Sequence, residues 1–178
     1  MTHRIQVYPH NDLFNTAHYH LGVINEKVDN DKKDAISLDC ISCIIALSFG
    51  IEAFVNFLGE KKINDWDERE KFEKKIRKIH KDVGYKFDKG KEPFKTVWKL
   101  KLLRDSMAHG KPKRANVGAK SKEELWAHMK TSWDDSMNPE FVNDAYDKVK
   151  EWKKELLKAA DLTLASTVTS AIGSGNRT

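Results

Sequence analysis

Apolar residues recur along most of this chain at the three- and four-residue spacing that gives an α-helix one dry face and one wet face. The first stripe is Phe14, Ala17, Leu21, Ile24 and Val28. Asn11 or Asp12 ahead of it suits an N-cap, where a short polar side chain accepts from free backbone N–H groups. Asp29–Lys33 is a polar connection. The second helix is expected over Asp34–Leu58, with Ile41, Ile44, Leu47, Ile51, Phe54 and Val55 spread over nearly every face. A helix without a polar face belongs at the centre of a bundle. Gly59 is its expected stop.

A third helix is expected from Asn64 or Asp65 to Gly84, opened by Asp67, Glu68 and Glu70, acids that favour the positive end of a helix dipole. Phe72, Ile76, Ile79 and Val83 form its inner stripe, and Lys74, Lys75, Arg77, Lys78 and Lys81 its outer, solvated face. After the loop Tyr85–Glu92, Pro93 opens a fourth helix with the core stripe Val97, Leu100, Leu103 and Met107, ending at Gly110 and Pro112. Lys111–Met137 is a long excursion. It holds a short helix, Ser121–Lys130, opened by a Ser-Lys-Glu-Glu capping pattern. Asn138 and Pro139 open the last helix, whose stripe is Val142, Ala145, Val149, Trp152 and Leu156. No segment alternates as a strand does. The pattern predicts an all-α fold, an antiparallel four-helix bundle with an extra short helix in a long loop before the last helix. The domain is expected over residues 1–170, with a frayed tail at 171–178.

Composition narrows the class. A chain of 178 residues, 39% hydrophobic, can bury a core without disulfides or a structural metal and is too apolar to be disordered. Cys40 and Cys43 lie inside the apolar second helix, a C-x-x-C pair without a second pair, so they are expected in the core and no metal site is expected. The N-terminus lacks a basic region followed by an apolar stretch. The apolar run Cys40–Leu58 is broken by Glu52 and Asn56, which suits a core helix better than a membrane span. A cytoplasmic protein without membrane association or cofactor is expected.

Charge adds a candidate partner. Lys71–Lys122 carries 18 Lys and Arg against 5 Asp and Glu, an excess of +13 in a chain whose net charge is +5, so the remainder stands at −8. A basic middle segment suits RNA or DNA, although lysine-rich helix faces also serve simply as solvated surface.

The candidate chemistry sits at the end of the fourth helix, in Leu102-Leu103-Arg104-Asp105-Ser106-Met107-Ala108-His109-Gly110-Lys111-Pro112. An R-x-x-x-x-H motif with a polar residue after the Arg, late in a helix of a small bundle that also holds an apolar second helix with Glu52, resembles the HEPN superfamily. The resemblance implies a metal-independent endoribonuclease whose motifs from two protomers meet across an interface. Arg104 would bind the scissile phosphate, His109 would act as acid or base, and Asp105 would orient one of them. The residue types fit that chemistry: a ribose 2′-hydroxyl must lose a proton near neutral pH, and the planar donor fork of Arg suits the charged phosphorane. It further implies a homodimer acting on single-stranded RNA, in RNA processing, growth restriction or antiviral defence. Some HEPN toxins carry a Tyr two residues after the His; this chain has Lys111 there, which does not support regulation through that Tyr.

Helix geometry adds a constraint. Residues five apart stand ~140° apart around a straight helix and ~7.5 Å along it, so Arg104 and His109 diverge. Asp105 and His109 share a face and could hydrogen-bond. One phosphate therefore needs a second protomer or unwinding near Gly110. Without the resemblance, the same residues read as a surface ion pair and a His complementing the helix dipole.

Glu52 and Asn56, one turn apart on the apolar helix, read as supporting partners of Arg104 or His109, as a buried structural hydrogen bond, or as an exposed helix end. Lys111, Lys113 and Arg114 are candidate RNA-binding residues, with Trp126 and Trp133 able either to stack on a base or to anchor the long loop. The alternative function is a non-catalytic HEPN-like helical module that binds RNA or protein.

Overall fold

A computed structural model describes residues 2–174. Helices dominate it: α1 (Pro9–Asp29), α2 (Ile36–Lys62), α3 (Phe72–Asp82), α4 (Phe94–Ala108), α5 (Lys122–Met129) and α6 (Pro139–Ala159). Two strands, β1 (Thr2–Gln6) and β2 (Ser170–Ser174), pair antiparallel and bring the two ends of the described chain together. Short 3-10 turns lie at Asp134–Ser136 and Leu164–Thr167.

α2 is the core element. By length and composition alone it could cross a membrane; here Cys40, Cys43, Ile44, Phe54, Val55 and Leu58 are fully buried among the other helices. Burial pushes the Cys40 thiol up to about 11 and the Cys43 thiol to about 12, with Asp39 and Cys40 respectively adding to the shift. Both are packing residues. Inner stripes meet α2 from every side, including Ala17 and Ile24 of α1, Ile76 and Ile79 of α3, Val97 and Leu100 of α4, and Val149, Trp152 and Leu156 of α6.

Contact registers give the relative directions. Cys43 Sγ donates to the Ala17 carbonyl at 3.2 Å and Phe14 lies 6.3 Å from Phe54, so α1 and α2 run in opposite senses. α1 and α6 do likewise through the Asn25–Asn143 and His18–Tyr146 pairs. The α2–α4 contacts instead advance in the same sense: Ser48 Oγ donates to the Leu100 carbonyl at 3.2 Å and Arg104 reaches Glu52 at 2.6 Å.

Several elements depart from expectation. Five helices are 11 residues or longer, one for each of the five long stripes and one more than a four-helix bundle holds. Gly59 does not stop α2, which continues to Lys62. It is buried under the Trp66 indole, where a Cβ would collide, so its role is close approach. α3 begins at Phe72 instead of Asn64 or Asp65, because the acids ahead of it form turns: Asp65 has φ 57° and Asp67 Oδ1 accepts from Arg69 N at 2.9 Å. Gly84, at φ 67°, closes α3 as its sequence position suggests. No strand and a frayed end from about residue 170 were expected; Ser170–Ser174 instead pairs with Thr2–Gln6. A backbone ladder between the chain ends leaves no local hydrophobic alternation to read. Tyr8 N donating to Thr169 Oγ1 at 3.2 Å and Asn11 Nδ2 donating to the Thr167 carbonyl hold the same end in place. The rest of the expected tail, 175–178, lies outside the described residues.

Candidate functional site

The motif closes α4. His109 is the C-cap, its backbone N–H donating to the Asp105 carbonyl at 2.9 Å. Five residues earlier, Arg104 leaves the helix beside the core stripe and crosses to α2. Its Nη2 donates to Glu52 Oε2 at 2.6 Å, and its guanidinium carbon stands 5.4 Å from the centre of the Phe49 ring. Arg104 Nε lies 3.4 Å from Asp105 Oδ1, within ion-pair range but not aligned as a hydrogen bond. The Arg104 side chain remains 22% exposed.

Behind Glu52 stands a lysine expected on the solvated face of α3. Lys75 of α3 is 1% exposed. Its ammonium donates to Glu52 Oε1 at 3.0 Å, Asn56 Oδ1 at 3.0 Å and the Glu68 carbonyl at 2.9 Å. Three acceptors match the three donors of an ammonium, which is what makes a buried lysine tolerable. Lys75 immediately precedes the inner-stripe residue Ile76, so a modest rotation of α3 carries it inside. Its spacing, three residues after Phe72 and four before Ile79, sets it on the flank of the inner stripe, and its partners are signalled on α2, where Glu52 and Asn56 interrupt an apolar helix. Glu52 thus bridges two cations from two helices, and an Asn56–Lys75–Glu52–Arg104 chain links α2, α3 and α4.

Of the expected site residues, the fold gathers Arg104, Asp105, Glu52 and Asn56. His109 stands apart: it is exposed, with no side-chain hydrogen bond or ion pair among the described residues. Asp105 faces Lys101, at 2.5 Å, and Arg104, rather than His109. The four-residue spacing allowed either partner, and the lysine one turn earlier takes the carboxylate. Lys111, Lys113 and Arg114 follow in an exposed, non-helical segment. Lys113 Nζ donates to the His128 carbonyl at 3.1 Å, tying that segment to α5. Trp133 is half-buried, its ring 3.3 Å from where a Cβ on Gly110 would stand, so it secures the far end of the loop against the motif. Trp126 is 71% exposed. Among the described residues no cluster of His, Cys, Asp and Glu is arranged to hold a metal ion.

Much of the basic excess around the site is internally paired. Lys74 and Lys78 meet Glu70, while Arg77 and Lys89 meet Glu73. Lys111 and Arg114 form no ion pair among the described residues and are the cations beside the motif most free to meet a polyanion. Comparison with protein-family models, curated proteins and solved structures returns no match.

Proposed function

We propose that this chain is a HEPN-type metal-independent endoribonuclease that cleaves single-stranded RNA with Arg104 and His109, in a site completed by a second copy of the chain. The supporting observation is Arg104 itself. Glu52 fixes its Nη2 from a neighbouring helix while the side chain stays 22% exposed, five residues before a His109 with no side-chain partner among the described residues. A preorganised guanidinium suits a charge that develops only in the transition state. In this reading His109 takes the proton of the attacking 2′-hydroxyl or returns one to the leaving 5′-oxygen, and Arg104 neutralises the phosphorane. Asp105 and Glu52 hold Arg104, and Asn56 steadies Glu52 through Lys75. Lys111, Lys113 and Arg114 extend the RNA path past the helix end. The antiparallel four-helix arrangement belongs to the same reading. The opposed α1–α2 and α1–α6 registers favour it, and the same-sense α2–α4 register is what two alternate helices of an up-and-down bundle have. A role in antiviral defence or growth restriction follows from the same family reading, and a cytoplasmic setting from the two cysteines without a disulfide framework.

A second reading has its own observation. Two carboxylates already flank Arg104, as in a structural ion-pair network, which fits a non-catalytic module binding RNA or protein. Labelled single-stranded RNA incubated in EDTA with the protein, Arg104→Ala and His109→Ala separates the two. The enzyme reading expects products from the parent protein that vanish in both variants. Salt-sensitive binding without cleavage, unchanged in His109→Ala, would select the module.

A further inference from the structure

The groove between α1 and α6 takes no part in the site above. Phe14 and His18 of α1 form one wall, and Tyr146, Lys150, Lys153 and Leu157 of α6 form the other. Leu162 and Leu164, in the segment after α6, close one end. Its volume is about 680 Å³, within the range of pockets that hold small organic ligands. A narrower cleft of about 60 Å³ continues from it, sharing Phe14, Tyr146, Lys150 and Lys153 and reaching Leu47 and Val149. The sequence of α6 builds this face directly: residues 146, 150, 153 and 157 recur every three or four positions, one step around from the inner stripe.

Charge on the groove is of one sign. Lys150, Lys153, Lys154 and Lys158 line it, and no Asp or Glu does. None of the four is in an ion pair among the described residues, whereas Lys148, on another face, meets Asp144 at 2.8 Å and Glu92 at 3.4 Å. Lys153 is the unusual member. It is half-buried at the groove floor, its ammonium 4.4 Å from the centre of the Phe14 ring and 5.9 Å from that of Phe54. Burial holds it below the usual lysine range. A cation drawn out of water against aromatic faces, with no counter-ion, is relieved by an anion that brings apolar surface with it.

We propose that this groove binds a small anionic amphiphile, a carboxylate on a hydrocarbon chain, with the Lys153 ammonium taking the head group and Phe14, Leu157 and Leu162 taking the chain. A nucleic-acid backbone fits less well: the exposed row Lys150, Lys154 and Lys158 suits phosphates, but half-buried Lys153 and the apolar floor would go unused.

Isothermal titration of the full chain with dodecanoate, kept below its micelle-forming concentration, tests this. Saturable one-to-one binding is expected, with dodecyltrimethylammonium failing to bind. Lys153→Met keeps the aliphatic stem and removes the charge, and is expected to weaken dodecanoate binding roughly tenfold or more. Leu164→Glu places a carboxylate at the end of the groove that Leu162 and Leu164 close, on a side chain that is 70% exposed. It leaves the core intact and is expected to weaken binding as well, so it carries the test should Lys153→Met not fold. Absent saturable binding, equal affinity for the cationic amphiphile, unchanged affinity in a folded variant, or binding only to anionic phospholipid vesicles would each overturn the proposal.

Discussion

Glu52 carries more of the site than its place on an apolar helix suggests. Its two oxygens meet Lys75 at 3.0 Å and Arg104 at 2.6 Å, so it holds one cation inside the fold and positions the other at the surface. Glu52→Gln keeps the shape and removes the charge. It is expected to lower the free energy of unfolding by about 2 kcal/mol, because Lys75 stays buried with a weaker partner set. Lys75→Met is expected to cost less, since an apolar side chain of similar length replaces the cation while Glu52 keeps Arg104. Urea unfolding of both variants checks the order; a larger loss for Lys75→Met would contradict it. At this scale the motif residues were legible because their types and spacing carry chemistry. The place of Lys75 was legible in its spacing from Phe72 and Ile79, but only its partners on another helix reveal why a lysine is inside. His109, with no side-chain partner, is legible as a residue but not as half of a pair.

Element boundaries show which local rules prevailed. Asn138 and Ser121 cap α6 and α5 as their sequences imply, accepting from Phe141 N at 2.8 Å and Glu124 N at 3.2 Å. Gly59 went the other way, because a glycine that admits a tryptophan ring looks in sequence like one that ends a helix. Gly59→Ala is therefore expected to destabilise by about 1–3 kcal/mol through displacement of Trp66. Gly22→Ala, mid-helix in α1 with nothing within 4 Å of the added Cβ, is expected to stabilise by about 1 kcal/mol. Matched thermal and urea melts of the two variants check both signs. The α3–α6 packing also responds to acid. Trp152 Nε1 donates to His80 Nε2 at 3.4 Å, and burial lowers His80 from 6.5 to about 4. Burial, then Lys153, lowers His10 in the same way, to about 4. Unfolded imidazoles take up protons near 6.5 and the folded ones resist until about 4. Within that window the unfolded state binds more protons, so stability falls as pH falls. Tm measured from pH 7 downward is expected to drop through this window, and less steeply in His80→Gln; a flat profile would contradict the assignment.

The charge distribution acts across the whole molecule. The basic excess of the middle segment is partly consumed by ion pairs on α3 and α4, leaving Lys111 and Arg114 unpaired beside the motif. Replacing either by Ala is expected to weaken RNA binding and to reduce the log–log salt dependence by roughly 1 per residue. Titrations at several salt concentrations read this, and an unchanged slope would remove that residue from the RNA path. Helical class was legible in the hydrophobic period, while the β1–β2 ladder between the ends, a backbone pairing with no local side-chain pattern, was not. The central claim is larger than one chain, because Arg104 and His109 diverge within it. Mixing and re-equilibrating Arg104→Ala with His109→Ala tests that claim most directly, since a mixed two-fold pair regenerates one intact Arg–His combination. Each variant alone is expected to be silent on single-stranded RNA in EDTA, and the mixture to recover roughly a quarter of the parent activity. A silent mixture beside an active parent protein, or a parent protein that cuts no RNA, would contradict it.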